Sequence, residues 1–240
     1  MSNSSLVTYT RLSPNHSGRR THQIDRITPH CVVGQMTAAG IAACFASPAR
    51  QASCNYGVGV DGGVALIVDE GNRSWCSSSN ANDQRAVTIE CASNTAHPYA
   101  MTAKVYDKLV DLCEDICRRN HKKKLLWLGT AALNYTPKAD EMVLTVHRWF
   151  ANKACPGDWL FNRLGSLASE VTKRLTGFTP YKVKITKAVN VRKKPTGASK
   201  KIMVLTAGGV YTIVKVNKSK KWGKLKSGAG WIRLSYTKKV

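Results

Sequence analysis

The strongest hydrophobic periodicity lies in residues 98–120. Tyr106, Leu109, Val110, Cys113, Ile116 and Cys117 recur at spacings of three and four, which gathers them on one helix face. Pro98 suits its first turn, and Arg118, Arg119 and the lysines at 122–124 suit its negative end. A second amphipathic helix is predicted over 158–175, with Leu160, Leu164, Leu167, Val171 and Leu175 facing inward and Asp158 at its start. A shorter alanine-rich helix is expected over 36–46, ended by Ser47-Pro48. Between the helices lie short apolar runs. Residues 23–34 read as a buried strand. Residues 55–60 and 64–68 read as two strands joined through Asp61-Gly62-Gly63, a hairpin signal. Residues 86–90 and 125–128 are further strands, and 142–146 lead directly to His147. Residues 1–22 read as loosely ordered, and the Ser-, Asn- and Gly-rich stretch 69–83 reads as a loop. Strands alternating with long helices predict an α/β fold, a mixed central β-sheet flanked by helices.

The pattern changes after residue 176. Residues 177–180 read as a linker. Residues 181–240 hold short β segments with outward lysines, which predicts a small all-β barrel of about five strands. The expected domains are therefore 1–176 and 181–240. Trp222, Trp231 and Tyr236 are core or groove positions in the second, and Trp231 reads as core.

Charge sharpens this division. The chain of 240 residues carries a formal charge of +23. Residues 181–240 contain 17 Lys plus Arg and no Asp or Glu, leaving 20 basic residues against all 14 acidic ones before them. Such a block implies a polyanionic partner held by salt-sensitive attraction. The polar N-terminus shows no secretory signal, and no stretch approaches the roughly 18 apolar residues of a membrane span. Eight cysteines without a signal argue for free thiols.

Candidate chemistry concentrates at 147–157, H-R-W-F-A-N-K-A-C-P-G. Imidazole and thiolate are ligands that zinc prefers. The spacing of His147 and Cys155 suits a strand end followed by a loop, with Pro156-Gly157 forcing a turn. Lys153 would hold a cation beside the metal, where it could stabilise an oxyanion. A third ligand is needed. His30, in the apolar run I-T-P-H-C-V-V-G, is the best candidate; its alternative is a hydrogen bond to a backbone carbonyl. In the polar stretch 69–83, Trp75, Asn80 and Asn82 are candidates for contacting sugar or peptide, or are plain loop residues.

These residues resemble the zinc N-acetylmuramoyl-L-alanine amidases of the peptidoglycan-recognition type found in phage endolysins. That family has an early His ligand on a strand, then a late His followed after seven residues by Cys or Asp, with Lys two before that last ligand, then Pro-Gly. His30, His147, Lys153 and Cys155 follow that order. S-C-N-Y-G-V-G-V-D-G-G at 53–63 resembles the family's second strand and hairpin turn, and R-A-V-T-I-E at 85–90 its central strand ending in glutamate. One branch places a catalytic tyrosine just before the His or Asn of the second strand. Here Cys54 holds that position beside Asn55, and Tyr56 is one place out of frame. The resemblance therefore assigns the general-base role to Glu90, whose alternative is a strand-end carboxylate paired with Arg85 or a lysine. Asn55 and Arg85 join the substrate-binding candidates. In the second domain, V-N-V-R-K-K-P, V-Y-T-I-V-K-V, W-G-K-L and G-W-I-R-L-S-Y resemble a bacterial SH3-like wall-binding domain, with Trp222, Trp231 and Tyr236 as wall-binding candidates.

The resemblance implies one bound Zn2+ and bacterial peptidoglycan as substrate, with anionic wall polymers as a further partner. It also implies an enzyme made in the host cytoplasm without a signal peptide and admitted to the wall by a separate membrane-permeabilising protein. Two other classes fit parts of the chain. A non-catalytic peptidoglycan binder would typically have lost a ligand. A nucleic-acid binder with structural zinc would explain the basic half but leave an open metal site without a task; no nucleic-acid partner is expected.

Overall fold

The computed structural model describes residues 2–177, 180–217 and 219–240. The chain forms two compact units, Met1–Thr176 and Gly177–Val240. The linker expected at 177–180 falls partly on residues 178 and 179, outside the described residues.

The first unit contains β1 (Tyr9–Thr10), β2 (His16–Arg19), β3 (Arg26–Cys31), α1 (Ala38–Cys44), β4 (Tyr56–Val58), β5 (Val64–Leu66), β6 (Asn72–Ser74), α2 (Asn80–Arg85) and β7 (Ala86–Cys91). Then follow α3 (Ala103–Arg119), β8 (Lys124–Leu126), β9 (Glu141–Leu144), α4 (Asp158–Phe161) and α5 (Leu164–Thr176). Its main sheet runs β1-β5-β4-β7-β3-β9-β8. The β4–β5 hairpin is antiparallel, and every other pair in that sheet is parallel. This is the expected mixed sheet with flanking helices. Strands β3 and β7 are buried almost throughout because the sheet is covered on both faces. Helix α3 buries Val105, Leu109, Leu112, Cys113 and Ile116 from its periodic face.

Local chemistry moves several boundaries. Helix α3 starts at Ala103 because the Thr102 side chain caps it, accepting from the Val105 N–H; Pro98 lies upstream in the loop. The segment 158–175 is two helices sharing one apolar face. The polar stretch 69–83 contains β6, which pairs with β2, and the start of α2, capped by Ser79. Residues 2–22 are ordered, contrary to their polar composition. Strand β1 extends the sheet beside β5, and buried Arg20 donates to the Glu70 carbonyl (2.8 Å), the Asp83 carbonyl and Asn55 Oδ1 (2.9 Å). Burial of satisfied polar groups leaves no hydrophobic signature.

One buried ion pair ties this N-terminal half to α3. Glu70 is fully buried, and its carboxylate accepts from Arg119 Nη2 (2.7 Å) and Nη1 (2.9 Å), the Tyr56 hydroxyl (2.7 Å) and Asn120 Nδ2 (3.2 Å). Tyr56 is thus a packing residue with a buried hydroxyl partner. Arg119→Ala leaves the buried carboxylate with neutral hydrogen-bond donors only, Arg20 still acting on it as a nearby cation, and should cost about 3 kcal/mol of stability. Urea unfolding measures this; a loss below about 1 kcal/mol, the range of an exposed pair, would contradict the assignment.

The second unit holds β10 (Tyr181–Ile185), β11 (Val189–Arg192), β12 (Lys201–Leu205), β13 (Val210–Val216), β14 (Trp222–Leu225), β15 (Trp231–Arg233) and β16 (Thr237–Lys239). They form one sheet in the order β12-β11-β15-β14-β13-β10-β16, all antiparallel, with two more strands than the sequence reading. Val183, Ile185, Val191, Ile213, Leu225 and Ile232 make a separate apolar core. On β15 the alternation turns Ile232 inward, so Trp231, expected in the core, is half-buried on the opposite side of the strand. Trp222 and Tyr236 line a small cavity of about 170 Å³ with Asn190, Arg192 and Arg233.

Candidate active site

The register of three adjacent parallel strands sets the site. In the β3–β7 pair His30 lies opposite Glu90, and in the β3–β9 pair Ile27 lies opposite Leu144. His30 comes three residues after Ile27, and His147 three after Leu144. Both imidazoles and the carboxylate therefore emerge together at the carboxyl ends of β3, β9 and β7, where open α/β sheets hold their ligands. The His30 and His147 ring centroids are 5.2 Å apart.

A short return loop delivers Cys155 to the same point. After the single turn His147–Trp149, the Arg148 N–H donates to the Cys155 carbonyl (3.1 Å), and the Arg148 guanidinium holds Asp158 (2.9 Å) and the Ala154 carbonyl. Gly157 closes the loop at φ +80°, where a Cβ would lie 2.8 Å from the Pro98 carbonyl oxygen. Cys155 Sγ then sits 3.2 Å from His30 Nδ1. Among the described residues, one donor atom each from His30, His147 and Cys155 lies within 4.8 Å of the others; His30, Cys76 and Glu90 form an overlapping second set.

Burial tunes these groups. It lowers the His30 pKa to about 3, with His147 adding to the effect, and lowers that of His147, assisted by the Lys153 cation. Both rings are neutral at pH 7, the form in which imidazole binds metal. The Cys155 thiol is pushed up by its hydrogen bond with Cys31 and by burial. Burial raises Glu90 to about 7, opposed by the Arg50 cation. His30 Nε2 and Glu90 Oε2 are buried and have no hydrogen-bond partner among the described residues.

The cleft over this cluster has a volume of about 420 Å³ and is lined by Arg50, Trp75, Glu90, His147, Lys153 and Cys155, among others. A second lobe of about 440 Å³ shares Trp75 and His147 and adds Arg73, Ser78 and Asn80. So His30, Glu90, His147, Lys153, Cys155, Trp75 and Asn80 converge. Three substrate-binding candidates do not. Asn55 is fully buried, with its amide spent on the carbonyls of Val68, Asp69 and Asn72 and its oxygen on Arg20 and Thr88. Asn82 is buried among Thr28, Ser77 and Thr145. Arg85, at the end of α2 just before β7, is paired through two hydrogen bonds with Asp25 (2.9 and 2.5 Å). Each is a polar residue consumed by the framework. Arg50, Arg73 and Ser78 line the cleft without a prior sequence signal, because the short polar segments that carry them hold no periodicity that marks their direction.

A protein-family model described as N-acetylmuramoyl-L-alanine amidase matches residues 20–158. The chain belongs to that family. The match spans His30, Glu90, His147, Lys153 and Cys155, and family membership makes this a peptidoglycan amidase. Similar solved structures include the catalytic domain of XlyA, at 17% identity over 68% of this chain and 97% of that one (TM-score 0.48). Others are a mutant endolysin from Bacillus subtilis, at 16% over 71% and 99% (TM-score 0.48), and Staphylococcus aureus hydrolase AmiA in complex with its ligand, at 13% over 69% and 82% (TM-score 0.48). No curated protein sequence matches the chain. Among the described residues, no helix of this amidase-family chain is long and apolar enough to cross a membrane.

The residues at the site fit the metal such amidases use. Two neutral imidazoles and one thiol are a borderline-soft N,N,S donor set suited to zinc, and three protein ligands leave a position open for water. Two buried polar atoms without partners among the described residues, His30 Nε2 and Glu90 Oε2, are the kind of unsatisfied groups that an ion and its water account for.

Proposed function

We propose that this chain is a zinc-dependent N-acetylmuramoyl-L-alanine amidase of the endolysin type, carrying a wall-binding module at 181–240. The convergence of His30, His147 and Cys155 beside the buried Glu90 supports the reading. His30, His147 and Cys155 would hold the metal. When bound, zinc supplies Lewis acidity that makes water acidic near neutral pH and polarises a carbonyl.

The chain's own residues do the rest. Glu90, whose pKa burial raises in the metal-free chain, takes the proton from the attacking water and returns it to the departing amine of L-alanine. A C–O bond forms at the lactyl carbonyl of N-acetylmuramic acid as the C–N bond breaks. The Lys153 ammonium, at the rim of the cleft, faces the oxyanion that develops. Trp75 and Asn80 line the cleft lobe that would carry the adjoining sugar or peptide.

End-group analysis of digested Gram-positive peptidoglycan tests the reaction. New L-alanine amines without new reducing sugar ends, lost with chelator and restored by zinc, are expected. Other new amines would move the cut into the peptide, and no new ends on several walls would leave a binding protein.

The second unit, with 17 cations, no acids and its own apolar core, acts as the SH3-like wall anchor. Trp222 and Tyr236 offer aromatic faces beside Arg192 and Arg233 in its cavity, and half-buried Trp231 lies outside that cavity. Truncation after Thr176 should weaken wall binding through lost effective concentration, and raised salt should weaken full-length binding likewise. Hydrolysis of small soluble muropeptides should survive both. Pull-down on purified wall at two salt concentrations measures the first; equal retention of both forms would remove the anchor role.

A further inference from the structure

The wall of the cleft contains a contact that the mechanism above leaves unused. The Ser78 hydroxyl lies 2.9 Å from His147 Nε2. Ser78 is the middle of three consecutive serines, and each is used differently. Ser79 caps α2, its side chain accepting from the Asn82 N–H. Ser77 donates its N–H and its hydroxyl (2.6 Å) to Asp83, and the Cys76 N–H donates to the same carboxylate (3.0 Å). Asp83 is buried, so it ties the loop down from beneath. Ser78, held between these anchors, adopts φ +61°, a left-handed conformation that residues with a side chain rarely take. Its hydroxyl makes no hydrogen bond except the one to His147 among the described residues, and Ser78 is likewise the ring's hydrogen-bond partner.

An imidazole has two nitrogens, and a bond at one fixes the tautomer and ring direction offered by the other. Metal-binding histidines are commonly oriented in this way by a partner outside the ligand set. For His147, no carboxylate or carbonyl among the described residues fills that part. With Nε2–H donating to Ser78 Oγ, the lone pair of Nδ1 is left for a metal. We propose that Ser78, held in a left-handed turn by the buried Asp83, is a positioning residue that orients His147 as a metal ligand. This rests on the reading of His147 as a ligand.

The test uses full-length protein stripped of metal, as wild type, Ser78→Ala and Ser78→Gly. Zinc affinity is read by competition with a chromophoric chelator, coordination by the visible spectrum of the Co2+ form, and folding by melting of the metal-free proteins. Both variants are expected to bind zinc roughly 10- to 100-fold more weakly, with an altered Co2+ spectrum. Glycine adopts φ +61° freely, so metal-free Ser78→Gly should melt at or above the wild-type temperature while its zinc affinity falls. A purely structural serine would move the two readouts together. Unchanged zinc affinity and Co2+ spectrum in either variant would overturn the positioning role while leaving the ligand set intact. Wild type that binds no zinc would overturn the ligand reading, and this one with it.

Discussion

Cys155→Ser is expected to lose zinc and amide hydrolysis together. Cys155 Sγ lies 3.2 Å from His30 Nδ1, on a loop held in place by Arg148 and the Gly157 turn, so the geometry survives the exchange and the donor alone changes. A serine hydroxyl is a poor zinc ligand because it must give up a proton far less acidic than a thiol's. Two imidazoles then remain, short of the three ligands a catalytic zinc needs. Metal analysis of the purified variant should show zinc at background, and the amine-release assay should read no turnover. Chelation of the wild type should give the same state, reversed by added zinc. Cys91→Ala is the matched control. That thiol is also buried near Glu90, but it belongs to no donor set among the described residues, so zinc should stay. Full zinc occupancy in Cys155→Ser would remove Cys155 from the ligand set and turn attention to Cys76, the thiol of the overlapping set.

The order of elements and the His147–Cys155 return loop could be read from local signals, whereas Glu90 and the joining of His30 to that loop came from the resemblance of the whole ordered set to the amidase family. Strand ends, turn residues and ligand spacing are written in short windows. The apolar faces of α3 and of α4 with α5 are written in helical periodicity. What could not be read depends on pairing across the chain. Asn55, Asn82 and Arg85 look like free polar groups in one dimension, yet their partners are Val68, Thr28 and Asp25, up to 60 residues away. The ordered N-terminal segment was hidden for the same reason, since Arg20 and Ser13 are buried by satisfied hydrogen bonds and not by hydrophobicity. Trp231 shows the converse. A large aromatic on a short strand suggests a core, but the pleat had already assigned the inward position to Ile232.

Glu90→Gln should retain zinc and lower turnover by about 10²- to 10⁴-fold, the usual contribution of a positioned general base. Glutamine keeps the shape of glutamate but cannot accept the water's proton. The wild-type pH profile should carry the same signature. A base must be ionised to work, so kcat/KM should fall as pH drops through the Glu90 pKa, which burial raises to about 7 in the metal-free chain and a bound zinc cation lowers again. That acid limb should change in Glu90→Gln. Stability should move the opposite way. The folded-state pKa lies above the ordinary value of 4.5, so the native protein binds this proton more tightly than the unfolded chain. Stability from Glu90 is therefore present at low pH and lost as pH rises from 4.5 toward about 7. Metal-free Glu90→Gln, which never pays for a buried carboxylate, should melt above the metal-free wild type, with a gap that widens between pH 5 and pH 8. A strand-end carboxylate serving only to hold a cation would give the reverse, with lower melting and unchanged turnover. The opposed movement of rate and stability is what separates a base held in a costly site from a structural ion pair.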